Sequence, residues 1–310
     1  MPLKTQKLDT ANALTLEWIL HVKNYKLVID RERCVGCQIC SLACPKNAIT
    51  LIKQPRVQGE AAKHAKVDID LAKCNFCGIC DVACPYGAVK VTFNGQHALN
   101  VVAKESYPEL IREIKTDPSK CPVDCSECET ACPLHLIKIS KTLDGRAIAD
   151  PSFLTPEQKA RTQTNIVVQK EYCPTCKVCE YKCAPGVMKV RKAYEGSIAI
   201  DQAKCPEGCR DCLDVCPITD ALILDDNSKV NINKSVCVYC GACKVVCPED
   251  EALTVKRTKV LHTSVHSGAW NKALERLTSP ADAGKELKAK GSQKAMQTVS
   301  RRFVAEEDIR

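Results

Sequence analysis

Cysteine spacing is the feature that most constrains this chain. All 24 cysteines among its 310 residues fall into six runs of four, numbered here as motifs one to six. Motifs one, two, four and six have the spacing C-x2-C-x2-C-x3-C, whereas motifs three and five begin C-x3-C. The motifs begin at Cys34, Cys74, Cys121, Cys173, Cys205 and Cys237. Six such runs, with no cysteine left over, predict six similar binding sites.

The composition indicates that these sites must help to stabilise the fold. Aromatic residues are only 4% of the chain, so the hydrophobic cores are expected to be small. Small cores need disulfides or metals. The N-terminal sequence has no signal-peptide pattern, and no apolar run is long enough for a membrane span, which predicts a cytoplasmic protein. Metal ligation is therefore favoured over disulfides.

The spacing favours an iron–sulfur cluster over a zinc ion. Structural zinc sites take four ligands, usually as two separated pairs. Three cysteines within seven residues, then a fourth followed by proline, form the run that binds [4Fe–4S] clusters in bacterial ferredoxins. Motif four departs slightly, with Cys183-Ala-Pro in place of Cys-Pro, but it lacks no ligand.

Residues 27–255 resemble repeated bacterial-type two-cluster ferredoxins, because each motif follows a short β-like run. These runs are Tyr25–Asp30, Val67–Asp70, Ile111–Thr116, Asn165–Gln169, Ser197–Asp201 and Lys229–Asn233, and further runs follow at Ala48–Ile52 and Ala88–Phe93. The resemblance implies an α+β fold of three tandem ferredoxin-type (βαβ)2 two-cluster domains with a helical Cys-free C-terminal tail. The predicted parts are an N-terminal segment (1–24), domains at 25–95, 96–195 (with an insertion at 140–164) and 196–256, and a partner-docking tail (257–310).

The resemblance also implies crossed ligation, in which three cysteines of one motif and the fourth of its partner motif hold one cluster. With motifs paired in chain order, the six predicted [4Fe–4S] ligand sets are Cys34, Cys37, Cys40 and Cys84; Cys74, Cys77, Cys80 and Cys44; Cys121, Cys125, Cys128 and Cys183; Cys173, Cys176, Cys179 and Cys132; Cys205, Cys209, Cys212 and Cys247; and Cys237, Cys240, Cys243 and Cys216. The shared C-x3-C start of motifs three and five supports this order as an internal repeat. A nested layout, with motifs four and five paired inside three and six, has equally good loop lengths and stays open.

The net charge of the chain needs a correction for its cofactors. The formal charge is +8. A cubane with four thiolates adds about −2, so six clusters would bring the loaded protein to about −4. The excess Lys and Arg are therefore expected to compensate cluster charge, and no basic stripe with interleaved aromatics indicates nucleic-acid binding.

Two features inside the motif region lie outside the cysteine runs. In the insertion, Thr155 is predicted to cap a short helix that begins at Pro156 and ends near Arg161. This insertion is either a solvated excursion or a partner-docking arm. His135 lies close to motif three, and we interpret it as a hydrogen-bonding neighbour in preference to an iron ligand.

The tail contains one amphipathic pattern. Ser267 is predicted to cap a helix with Trp270, Leu274 and Leu277 on one face. We expect this tail to pack on another subunit, since its polar remainder cannot form a core. The same expectation holds, more weakly, for the N-terminal apolar residues Leu14, Leu16, Trp18 and Ile19.

The functional prediction is electron transfer without a catalytic site in this chain. No P-loop, dinucleotide fingerprint or nucleophile elbow is found. The sequence resembles polyferredoxin subunits of anaerobic redox complexes, in particular that of formylmethanofuran dehydrogenase. This resemblance implies protein partners, no nucleic acid or membrane insertion, and a wire of three domains in a row that carries low-potential electrons for CO2 reduction in methanogenesis. The alternatives are a hydrogenase polyferredoxin, a cluster-bearing subunit of another anaerobic oxidoreductase, and a zinc-stapled scaffold.

Overall fold

Three units, each containing two cysteine motifs, make up most of the computed structural model. It describes residues 4–57, 59–183, 186–249, 251–265 and 267–279, together with 281, 283, 284 and 288. Preceding unit one is a hairpin of β1 (Lys4–Asp9) and β2 (Ala13–Ile19). Unit one contains β3 (Asn24–Asp30), α1 (Ile39–Ala43), β4 (Ile49–Ile52), β5 (Lys66–Ile69), α2 (Ile79–Ala83) and β6 (Val89–Phe93).

The remaining elements follow in chain order. A short helix α3 (Asn100–Ala103) precedes unit two. Unit two contains β7 (Ile114–Thr116), α4 (Glu127–Thr130), β8 (Ile137–Leu143), β9 (Arg146–Ile148), α5 (Pro156–Arg161), β10 (Gln163–Val168), α6 (Val178–Lys182) and β11 (Met188–Val190). Unit three contains β12 (Tyr194–Ile200), α7 (Asp211–Asp214), β13 (Leu222–Leu224), β14 (Val230–Ile232), α8 (Ala242–Val246) and β15 (Leu253–Val260), and helix α9 (Gly268–Leu277) follows. The predicted strand runs overlap these strands.

Strand pairing follows one rule in all three units. In unit one, β3 pairs antiparallel with β6, and β4 pairs antiparallel with β5. The first strand thus pairs with the last, and the two inner strands pair with each other. Units two and three repeat this as β7 with β11 and β8 with β10, then as β12 with β15 and β13 with β14. Motif three therefore shares a unit with motif four, and motif five with motif six, so the arrangement is sequential and not nested.

An acidic side chain fixes a short motif helix to the strand that follows it. In unit one, Val91 N donates to Asp81 Oδ2 at 2.7 Å. Unit two repeats this contact twice, from Ile139 N to Glu129 Oε2 at 3.0 Å and from Val190 N to Glu180 Oε2 at 2.9 Å. Each acidic residue directly follows the third cysteine of its motif. Helices of four or five residues are too short to be stable alone, so this bond helps to hold them in place.

The N-terminal segment packs on unit one, so the apolar residues that were expected to contact another subunit are already buried within the chain. β1 and β2 extend the sheet in the order β1-β2-β3-β6. Leu14 and Leu16 are fully buried, and the Trp18 ring lies 5.0 Å from that of Phe76. The alternation of apolar residues in β2 is typical of a strand with one buried face.

The described part of the tail also packs within the chain. β15 continues to Val260, past the predicted domain boundary at residue 256, because its end pairs with Tyr194. Helix α9 begins after Ser267, whose hydroxyl accepts from Ala269 N, as predicted. It packs on α1 of unit one, and it buries the predicted apolar face of Trp270, Leu274 and Leu277. The expected partner surface is thus covered by the chain itself, and residues 289–310 lie outside the described residues.

The insertion of unit two is ordered around β8, β9 and β10, which form one sheet. The predicted helix is present as α5, with a capping box between Thr155 and Gln158. Lys159 and Asp124 form an ion pair at 2.8 Å, which joins the insertion to motif three. In the described ranges, no helix is both long and apolar enough to cross a membrane.

Candidate metal centres

The structure gathers the 24 cysteines into six groups of four, all as free thiols. Each group takes three cysteines from one motif and the fourth from the other motif of the same unit. Groups one and two are in unit one, three and four in unit two, and five and six in unit three. The fourth, crossing cysteine is Cys84 in group one, Cys44 in group two, Cys183 in group three, Cys132 in group four, Cys247 in group five and Cys216 in group six.

Three small cavities outline the groups directly. One is lined by Cys74, Cys77, Cys80 and Cys44, which are the members of group two. A second is lined by the four cysteines of group four, and a third by those of group six. The remaining lining is almost entirely apolar, so each cavity presents four thiols in a dry environment.

Mutual effects of the thiols on their pKa values identify the members of groups three and five. Burial raises the pKa of Cys128 to about 11, and the crossing Cys183 thiol is the next largest cause. Burial likewise raises the pKa of Cys212 to about 12, with the crossing Cys247 among the contributing thiols. Like charges within a few ångströms disfavour ionisation. Four such thiolates would need a bound cation to be stable together, and the iron of a cluster would supply that charge.

The loop of each regular motif turns a backbone N–H toward its first cysteine. The residue two positions after that cysteine has a positive φ in all four cases: Gly36 (62°), Phe76 (54°), Thr175 (58°) and Tyr239 (55°). Left-handed backbone is uncommon for residues other than glycine. In these loops the left-handed conformation directs the N–H of this residue to the cysteine sulfur, as from Tyr239 N to Cys237 Sγ at 3.4 Å.

The fourth cysteine of several motifs receives a hydrogen bond from four residues further on. Ala48 N donates to Cys44 Sγ at 3.4 Å, Ala88 N to Cys84 Sγ at 3.3 Å, and Leu136 N to Cys132 Sγ at 3.3 Å. Such N–H groups stabilise a thiolate and tune a cluster bound to it.

Cationic side chains donate to the carbonyl oxygens of cysteines in all six groups. These bonds are Arg112 to Cys84 and Cys173, Arg276 to Cys44, Lys141 to Cys125, Lys53 to Cys247, Lys192 to Cys237 and Arg257 to Cys240. The excess positive charge in the sequence is thus placed where negative clusters would lie. These residues were not predicted, since each is distant in sequence from the motif that it contacts or lies outside any motif.

The groups formed by the two widened motifs each have one buried cysteine, as groups two and six also do. In group three only Cys128 is buried, and in group five only Cys212. Group five also receives a loop from unit one, where Arg56 Nη1 lies 3.9 Å from Cys209 Sγ and 3.1 Å from Asp211 Oδ1. His64 of the same loop contacts the carbonyl of Val215 at 3.0 Å. The loop therefore joins unit one to the outer end of unit three.

Groups one and four meet where unit one touches unit two. Arg112 donates to Cys84 O at 2.7 Å and to Cys173 O at 3.2 Å, so one guanidinium joins the two groups. Gly87 lies against the Glu171 carbonyl and the Tyr172 ring, and an added Cβ there would come within 2.7 Å of both. A residue without a side chain is thus needed at this contact.

Groups one and six meet where unit one touches unit three. After burial, the neighbouring Cys240 thiol is the largest cause of the raised pKa of Cys37. Tyr194 of unit three donates its hydroxyl to Ala83 O at 2.8 Å. The same hydrophobic core contains residues of both units.

Groups four and six meet where unit two touches unit three. Cys176, Val178, Val236 and Val238 form one buried cluster, against which Cys216 packs. Lys192 donates to Cys237 O at 2.8 Å. Burial lowers the pKa of Lys192, and the nearby Cys176 thiol partly opposes this effect.

We call groups one, four and six the inner groups, because each contacts the other two, and groups two, three and five the outer groups. The three units were expected from the sequence to lie in a row, but they do not. Each unit contacts both others and contributes one inner group to a common centre.

The donor sets fit [4Fe–4S] clusters. Each group offers four thiols, apolar walls and N–H groups aimed at sulfur, which is the environment that such clusters use. In the described part of the chain, no set of three or more His, Cys, Asp or Glu side chains is placed to hold a single metal ion. His135 is exposed, and its backbone N–H donates to Cys132 O at 3.1 Å.

Family models match two parts of the chain. Residues 33–88 and residues 197–261 each match a family described as a 4Fe-4S dicluster domain. These ranges contain motifs one and two, and motifs five and six. The chain therefore carries 4Fe–4S dicluster domains, as the cysteine spacing predicted.

Relatives point to the same class of protein. The chain is 35% identical over 78 residues to the ferredoxin-type protein NapH of Escherichia coli, covering 23% of this chain and 27% of NapH. It is 28% identical over 95 residues to the polyferredoxin-like subunit of an aliphatic sulfonate oxidoreductase from Pyrococcus furiosus, covering 27% of this chain and 53% of that subunit. The chain thus spans about a quarter and about half of these relatives.

One solved structure matches nearly the whole chain. It is a chain of the formate dehydrogenase–heterodisulfide reductase–formylmethanofuran dehydrogenase complex from Methanospirillum hungatei, with a TM-score of 0.75 and 26% identity. The match covers 90% of this chain and 92% of that chain. The predicted resemblance to polyferredoxins is confirmed by these findings taken together.

Proposed function

We propose that this chain is an electron-transfer polyferredoxin with six [4Fe–4S] clusters in three ferredoxin-type (βαβ)2 units, each cluster held by one of the six groups. The observation that carries this proposal is that every cysteine joins a crossed group of four. A [4Fe–4S] cluster accepts and returns one electron with little rearrangement. The residues around it supply burial, N–H groups and compensating cations.

The contacts among inner groups support a route through the centre of the chain. Arg112 spans groups one and four, and Lys192 lies between groups four and six. Each outer group shares its unit with one inner group. An electron that enters at any outer group can therefore reach either of the other two through the centre.

We further propose that the partners are protein subunits of a redox complex of the cytoplasm, of the kind that contains formylmethanofuran dehydrogenase. The support is the structural match, which spans almost all of both chains. In such a complex the chain would carry low-potential electrons for CO2 reduction in methanogenesis. A second candidate, a subunit of another anaerobic oxidoreductase, is favoured by the match to the sulfonate oxidoreductase subunit.

The deciding experiment measures iron, sulfide and zinc per chain on anaerobically purified protein, with an EPR spectrum after dithionite reduction. Six clusters predict about 24 iron and about 24 sulfide per chain, with interacting S = 1/2 signals. Stoichiometric zinc without sulfide would contradict the proposal and leave a structural scaffold.

The partner is tested separately, by mixing the reduced chain with purified formylmethanofuran dehydrogenase in the presence of CO2 as the electron acceptor. Reoxidation of the chain that depends on the presence of that enzyme supports the assignment. Reoxidation at the same rate with and without it contradicts the assignment but leaves electron transfer standing.

A further inference from the structure

A tyrosine of unit one completes a site whose cysteines all belong to unit three. Tyr86 is 3% exposed and follows Cys84, a member of group one, by two residues. Its side chain lines the cavity formed by Cys216, Cys237, Cys240 and Cys243, which are group six. Tyr86 thus extends from the backbone next to one inner group into the wall of another.

The hydroxyl of Tyr86 is buried and has no hydrogen-bond partner in the described structure. Among the thiols of group six, that of Cys240 lies beside this hydroxyl. The phenol hydroxyl carries one proton that it can donate to that sulfur. A buried donor without an acceptor is destabilising. A thiolate ligand would provide an acceptor, and hydrogen bonds to ionised acceptors are strong.

We propose that Tyr86 donates its O–H to Cys240 Sγ when group six holds its cluster, which links the inner groups of units one and three. This inference rests on the proposed function, because the acceptor is a cluster ligand. A hydrogen bond to a ligand sulfur stabilises the reduced, more negative state and so makes the potential less negative. When one electron passes between these two groups, Tyr86 keeps its proton and its oxidation state.

The test is an EPR-monitored redox titration of the full chain, purified anaerobically, as wild type and as Tyr86→Phe. The matched control is Tyr194→Phe, which removes another buried hydroxyl at the same boundary. That hydroxyl donates to a backbone carbonyl, Ala83 O, and not to a sulfur. Only preparations with the iron and sulfide content of the wild type are compared.

We expect Tyr86→Phe to move the midpoint potential of one cluster to a more negative value and to leave the others unchanged. Tyr194→Phe is expected to leave all midpoints unchanged. Unchanged midpoints in a fully loaded Tyr86→Phe chain would overturn the role of Tyr86, whereas the proposed function would stand. A wild-type chain without clusters would instead refute the proposed function.

A second variant keeps the test decisive if Tyr86→Phe does not load fully. Placing 3-fluorotyrosine at position 86 retains the ring and the hydroxyl but makes the O–H a stronger donor. The midpoint of the same single cluster should then move to a less negative value. A shift in the opposite direction, or no shift, would contradict the proposed hydrogen bond.

Discussion

Groups one and three offer the same four thiols in opposite surroundings. Three of the four cysteines of group one are buried, whereas only Cys128 is buried in group three. Group one contacts two other units. Group three receives its cation, Lys141, from its own unit, and Tyr181, two residues before its crossing cysteine, is 70% exposed. The difference teaches that the same set of four thiols can lie in the core shared by the units or near the surface of one unit, depending on its position in the assembly.

Removal of a crossing cysteine tests this comparison most strongly. Cys183→Ser should cost about four iron per chain, the content of one cluster. Cys84→Ser should cost more than that, because group one lies in the core shared with unit three and its loss loosens the neighbouring inner groups. Iron and sulfide per chain measure both effects. Equal losses in the two variants would show that group one has no special structural role.

The close contact of units one and two gives the next largest effect. Gly87→Ala places a Cβ within 2.7 Å of the Glu171 carbonyl at a residue with φ +61°. Strain and overpacking together should lower the free energy of unfolding by roughly 2–4 kcal/mol.

Gly95→Ala is the matched control for Gly87→Ala. Its φ is +80°, but nothing lies within 4 Å of the added Cβ. Only the backbone strain of about 1–2 kcal/mol is therefore expected. Anaerobic denaturant titration compares the two variants, and equal losses would mean that the units do not meet at Gly87.

The guanidinium that joins groups one and four should have an intermediate effect. Arg112→Met removes two hydrogen bonds to cysteine carbonyls, and a loss of about 1.5–3 kcal/mol is expected. The control Arg191→Met breaks an ion pair with Glu113 at 3.6 Å between partly exposed side chains, which should cost about 0–1 kcal/mol. Limited proteolysis between units one and two provides an independent measure. Indistinguishable cleavage rates would argue against the joining role of Arg112.

Removal of single cationic side chains should give the smallest effects, which are measured as shifts in the midpoint potentials of the clusters. Lys141→Met at group three and Lys192→Met between groups four and six each remove a positive charge that favours the reduced state. A shift of roughly 10–40 mV to more negative values is expected, corresponding to about 0.2–1 kcal/mol. The Lys141 variant should move one midpoint and the Lys192 variant two. One midpoint moving in both would show that Lys192 serves a single group.

The local architecture could be predicted from the sequence because spacing determines it. Cysteine runs preceded by β-like segments indicated the strands and the ferredoxin-type repeat, and Thr155 and Ser267 correctly marked helix starts. Pairing of the motifs could not be decided, because the loop between motifs four and five is as suitable as that between five and six. Antiparallel pairing of β7 with β11 is what distinguishes the two layouts.

The arrangement of the units could not be predicted, because it depends on contacts between residues far apart in sequence. An amphipathic face such as that of α9 shows that something covers it, but it does not identify the cover, which here is α1 of the same chain. The alternating apolar residues of β2 did indicate an additional strand with one buried face. Positions such as Arg112 and Tyr86 carry no local pattern that distinguishes them from ordinary surface or core residues.

The mutual contact of the three inner groups has a consequence for tolerance to damage. In a linear series, the loss of any interior member cuts the path in two. A closed triangle offers two paths between any pair of corners, so a broken link between groups one and four leaves a detour through group six. In a fully loaded chain, destruction of one outer cluster by oxygen would disable one terminal and leave the other two in communication.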